Sequence, residues 1–173
     1  MAQLADEKLR LSIEKEAKRI EEDAEYSGKG HYNACSSWSR RHLWIGIPAA
    51  VLAALASGSA FKDFSLVAGI LAILSTGFGT VATFLNPSRK SESHKSSGDQ
   101  FLALRNQTRL FREVELPQMD NLGVATERIK EFAKKRDQLN AISPSIPNSA
   151  YRDAKEAIEA GESLHRADVG KGC

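Results

Sequence analysis

Four histidines (His31, His42, His94 and His165) and two cysteines (Cys35 and Cys173) are the side chains of this 173-residue chain best suited to metal or nucleophilic chemistry. A zinc site draws three or four such ligands together. Here only His31 and Cys35 share a helical spacing, so no metal site is expected. Ser12 and Lys15 satisfy S-x-x-K, but they sit in a run of mixed charges without the companion motifs that make such a serine a nucleophile. Gly28-Lys29-Gly30 has the residue types of a phosphate loop but neither the GxxxxGK[ST] frame nor a preceding strand, and is expected to be a helix irregularity. Glu21, Glu22, Asp23 and Glu25 read as a solvated face rather than a buried acid–base pair. No catalytic residue and no cofactor is expected, and the chain does not read as an enzyme.

What positions these residues follows from the distribution of charge. Of 24 basic and 22 acidic residues, only Lys62 and Asp63 fall between His42 and Ser88. The net charge of +2 has no basic block, which argues against a nucleic-acid partner. Two widely separated cysteines point to free thiols in a reducing compartment rather than a disulfide scaffold.

Leu43 to Phe61 is a run of 19 uncharged residues (LWIGIPAAVLAALASGSAF), and Phe64 to Ser88 a run of 25. About 20 helical residues cross a hydrocarbon core of about 30 Å, so each run is long enough to span. The expected spans are about 43–61 and 64–86, joined by a connection too short for a translocated domain, so the pair forms a hairpin. Arg40 and Arg41 before it and Arg89 and Lys90 after it place both termini in the cytoplasm by the positive-inside rule. Trp38 and Trp44 bracket the entry, where an amphipathic ring favours the headgroup layer. A cleaved signal peptide is not expected, because some forty residues of charged sequence precede the first span. Pro48 either kinks a helix that continues through it or occupies its first turn.

In the second span Ser65, Gly69, Ala72, Thr76, Thr80 and Thr83 recur at helical spacing and share one face. Ala49, Ala53, Ser57 and Ala60 make a comparable small-residue stripe in the first. Such stripes let helix backbones approach closely. Two readings stay open: packing within the hairpin or between copies, and hydroxyls lining a pore once several copies surround an axis. No ionisable group lies inside either span, so proton relays and voltage sensing have no residues to work with.

The flanks read as helices. Leu9, Ile13, Ala17, Ile20 and Ala24 form an apolar stripe in residues 1–42, whose charges balance at eight of each sign. In 89–161, Phe101, Leu104, Phe111 and Val114 line one helix that Pro117 should close, and Leu122, Ala125, Ile129, Phe132 and Leu139 line the next. After the turn at Pro144 and Pro147, Tyr151, Ala154 and Ile158 suggest a final helix ending near Gly161, and 162–173 reads as a disordered tail. The expected fold is an all-α membrane protein: a two-transmembrane hairpin (43–88) whose long cytoplasmic flanking helices form a bundle.

The string Tyr26-Ser27-Gly28-Lys29-Gly30-His31-Tyr32-Asn33-Ala34, the entry HLWIGIPAAVLAALA at 42–56 and the exit Phe84-Leu85-Asn86-Pro87 form a distinctive series. FLALRNQTRLFRE at 101–113 and Arg136-Asp137-Gln138-Leu139-Asn140 before Ser143-Pro144 extend it. Together they resemble the SLATT family, the SMODS- and SLOG-associating two-transmembrane effector domains, over roughly residues 10 to 160. The resemblance implies a homo-oligomeric, pore-forming effector of a bacterial antiphage system in the inner membrane, causing dormancy or death of the infected cell. It implies a partner that makes or senses a nucleotide signal. With no such domain fused to this chain, the partner is expected to act in trans. The competing expectation is a membrane-anchored helical scaffold without a pore.

Overall fold

The computed structural model describes residues 2–60 and 65–162, with side chains for 4–58 and 65–162. Lys62 and Asp63, His165, Cys173 and all of the expected tail after Glu162 lie outside the described residues. The described elements are all helical: α1 (Ala2–Ala60), α2 (Ser65–Leu85), α3 (Pro87–Leu110), α4 (Leu122–Ile142) and α5 (Asn148–Glu159). A π-helical turn (Phe111–Glu115) and a 3-10 turn (Leu116–Gln118) follow α3. The chain divides into two compact bodies, Cys35–Glu92 and the remainder.

In the larger body, apolar residues at three-to-four spacing form the core. Ile13, Ala17, Ile20 and Ala24 of α1 are buried, with Phe101, Leu104, Phe111 and Leu116 and with Ala125, Ile129, Phe132 and Leu139 of α4. Each large side chain removed from water contributes roughly 1.5–3 kcal/mol. Phe111 meets Phe132 edge-on at 5.6 Å between ring centroids. Leu9 stands outside this core, 40% exposed.

The expected irregularity at Gly28-Lys29-Gly30 is absent, and α1 runs through it unbroken. The glycines serve close approach instead. A Cβ on Gly28 would lie 3.5 Å from the Cβ of Phe101 and 3.6 Å from the Gly98 carbonyl. One on Gly98 would lie 3.4 Å from the Gly28 carbonyl and from the Tyr32 ring. The two helices therefore meet backbone to backbone, which offsets the helix-propensity cost of about 1 kcal/mol per glycine.

Val114, expected on the buried face, is 46% exposed, and Leu116 is buried in its place. The cause is the π-helical turn. The Leu116 N–H reaches back five residues to the Phe111 carbonyl, so the residue below Phe111 on that face comes one position later than α-helical spacing predicts. Arg10 donates to the carbonyls of Leu116 and Met119, which close this segment. Arg112 forms a two-pronged pair with Glu21 at 2.7 and 3.0 Å. Arg105 faces Glu25 at 3.4 Å, and Arg136 faces Asp23 at 3.2 Å.

Helix ends follow local chemistry. The Asn121 side chain accepts from the N–H groups of Gly123 and Val124 and starts α4. Past α5, Gly161 adopts φ 84° and donates to Ile158, while Glu162 donates to Ala157, the two bonds of a Schellman cap. In the smaller body, Asn86 (φ 41°) separates α2 from α3. Asparagine tolerates this left-handed geometry better than most residues, and its side chain accepts from the Arg89 N–H at 3.3 Å. Pro87, which has no N–H to leave unpaired, opens α3.

The crossing at Gly98 has room for one carbon and no more. Gly98→Ala is expected to hold or raise stability by up to about 1 kcal/mol through helix propensity. Gly98→Leu is expected to lose about 1–3 kcal/mol by forcing the helices apart. Thermal unfolding of the purified chain, followed by helical circular dichroism, checks both.

Candidate functional site

Within Cys35–Glu92 the apolar residues point outward. α1 and the helix that begins at Ser65 each contain an 18-residue stretch apolar enough to cross a membrane, with mean hydropathy 1.2 and 1.8, and neither stretch is buried inside the protein. Trp44 and Leu66 are each 78% exposed, Ile73 72% and Phe84 87%. In a soluble helical hairpin these would be core positions.

One face of each helix is partly covered: Ile45, Gly46, Pro48, Ala49 and Leu52, with Ala56 buried, on α1, and the row Ala68, Leu71, Ser75 and Ala82 on α2. The Ser75 hydroxyl donates to the Ala49 carbonyl at 2.9 Å and ties the two faces together. Ala49 of the expected small-residue stripe thus belongs to the contact. Ala53 and Ser57 are exposed, and the Ala60 side chain lies outside the described residues. Pro48 sits inside α1 and has no N–H to give the carbonyl of Trp44.

Ser65, Gly69, Ala72, Thr76, Thr80 and Thr83 are all exposed, beside the contact row rather than in it. A Cβ on Gly69 would meet nothing within 4 Å. The threonine hydroxyls donate to their own helix: Thr76 to Ala72 at 2.8 Å, Thr80 to Thr76 and Thr83 to Gly79, both at 2.9 Å. Each donor is thereby satisfied without solvent, while the oxygen keeps acceptor capacity outward.

Arg40, Arg41, Arg89 and Lys90 are exposed. The Arg41 guanidinium and the Lys90 ammonium lie over the same ring, that of Trp38, at 4.5 and 4.4 Å from its centroid. Nearby, Cys35 Sγ lies 3.2 Å from Ser91 Oγ, and the Ser91 hydroxyl donates to the Cys35 carbonyl.

The larger body holds a polar pair that sequence spacing does not disclose. His31 of α1 and His94 of α3, 2% and 4% exposed, lie Nδ1 to Nδ1 at 2.9 Å. His31 also stacks on Phe101, 5.6 Å between centroids. One ring must donate and the other accept, so the bond requires both to be neutral or to share a single extra proton. Burial, and then the neighbouring ring, lowers the His31 pKa from 6.5 to about 4, and burial lowers that of His94. The available signal was register: His31 falls on the face that carries Ile13, Ala17, Ile20 and Ala24.

Among the described residues, no three His, Cys, Asp or Glu side chains gather closely enough to hold a metal ion. Comparison with family models, curated proteins and solved structures finds no match.

Both imidazoles titrate more readily unfolded than folded, so their contribution to stability is complete above about pH 6.5 and is lost as the pH falls toward 4. For His31 alone the loss between pH 7 and pH 5 is on the order of 2 kcal/mol. Asp99 has its pKa lowered, by hydrogen bonds from Tyr32 and Lys95, and acts only below about pH 4. Denaturant midpoints should fall on going from pH 7 to pH 5 in the wild type and stay nearly level in a His31→Leu/His94→Leu variant.

Proposed function

We propose that this chain is an integral membrane protein whose α1 and α2 cross the bilayer as a hairpin with both termini in the cytoplasm, and whose copies assemble to let ions through. The observation that carries the reading is the exposure of both apolar helices: among the described residues nothing covers Leu66, Ile73 or Phe84, and lipid covers such surfaces without further cost. With Ser75 and Ala49 occupied inside one hairpin, the stripe from Ser65 to Thr83 is left facing outward. A second copy can pack on that stripe, and in a ring the threonine oxygens would line the lumen.

The resemblance to the SLATT family supports the biological half of the proposal. The assembly serves as the effector of a bacterial antiphage system, opened by a partner that makes or senses a nucleotide signal and ending in dormancy or death. The larger helical body is the part available to receive that partner. One observation favours the alternative, a scaffold that anchors without conducting: the threonine donors are already bonded within their own helix, so lipid could face them at little cost.

Membrane potential in bacteria expressing the chain, alone and with its genomic neighbours, separates the two. Depolarisation is expected, and Thr76→Leu/Thr80→Leu should suppress it while carbonate-resistant membrane association stays unchanged. Leakage that survives the double substitution removes these residues from the lining. An inserted chain that never depolarises, with every neighbour present, establishes the scaffold.

A further inference from the structure

The geometry around Trp38 points to a binding site for the phosphate of an anionic phospholipid, formed by the Trp38 ring with Arg41 and Lys90. This inference rests on the membrane reading above. It starts from an electrostatic oddity. Two cations from different helices, α1 and α3, both lie over one indole, and their distances to its centroid put them no more than about 9 Å apart. Each is attracted by the ring, yet they repel each other.

Among the described residues, no carboxylate relieves that repulsion. Arg105, Arg112 and Arg136 in the larger body are each held by a carboxylate. By contrast, among the described residues Arg41 and Lys90 have no ion pair, and neither do Arg40 and Arg89 beside them. An anion is therefore the missing component. The position identifies its source. Trp38 precedes the apolar run that opens at Leu43, and Lys90 follows the one that ends at Ser88. An indole at such a boundary lies at headgroup depth, where the lipid phosphates are. A phosphodiester within reach of both cations brings one negative charge against their two and relieves their repulsion, and the ring keeps their side chains from wandering into solvent.

The chain has two tryptophans, so Trp44→Phe leaves Trp38 as the sole indole reporter. This variant is reconstituted into phosphatidylcholine nanodiscs, and phosphatidylglycerol is titrated in at constant ionic strength while Trp38 emission is followed. A saturating response is expected. Adding Arg41→Gln/Lys90→Gln should move its midpoint at least about tenfold, whereas Arg40→Gln/Arg89→Gln, which removes the same charge, should move it by less than about threefold. Equal shifts would reduce the effect to surface charge and overturn the site. The same response to inorganic phosphate in neutral discs would overturn the lipid assignment. Flotation of the same preparations keeps the two readings apart: a chain that fails to insert into neutral bilayers sinks the membrane reading together with this one, while an inserted chain indifferent to phosphatidylglycerol sinks this one alone.

Discussion

Apolar surface that a chain cannot cover with its own side chains must be covered by something else, and this constraint organises the smaller body. Two helices with spanning-length apolar stretches share one face of contact, and their remaining side chains point away from the protein. The rest of the local chemistry is consistent with such an exterior. Hydroxyl groups turn back to their own carbonyls, ionisable groups stay outside the apolar stretches, and cations collect where those stretches end.

The larger body solves the opposite problem. It buries its apolar stripes among its own helices and pairs charges across them, with Arg112 on Glu21 and Arg136 on Asp23. A close approach is made by residues with no side chain, Gly28 and Gly98, about one helical turn from the buried imidazoles of His31 and His94. A small apolar core with one polar pair at a tight crossing is specific in geometry, because the bond between the rings forms only when the two helices meet in the correct register.

Much of this was legible in the sequence wherever a signal extends over many residues. Spanning-length runs need only composition, and the row Leu122, Ala125, Ile129, Phe132 and Leu139 needs only a helical period; all five are buried. Features that depend on a single residue of phase were not legible. The five-residue step of the π-helical turn from Phe111 brings Leu116 to the buried face where a three-residue step pointed to Val114, which no periodicity announces. In α2, where nearly every residue is apolar or small, the period has no contrast, so the contact row could not be told from the stripe beside it, about 100° or less around the helix. Gly28 looked like a local weakness because its value lies in Gly98, seventy residues away, and Gly30 because its neighbour is Ile146, farther still. The histidine pair was hidden for the same reason, since its partners are 63 residues apart.

That pair also makes two chemically identical residues different. The ring that donates at Nδ1 must leave its Nε2 bare, and the ring that accepts must carry its proton on Nε2. Shifting the bridging proton alone would leave an imidazolium facing an imidazolate, so the direction of the bond reverses only if protons also exchange at the two outer nitrogens. Both rings are almost wholly shielded from water. Closing of the helices therefore makes the two rings inequivalent: in either sense one histidine is the donor at Nδ1 with a bare Nε2, and the other the acceptor with a protonated Nε2.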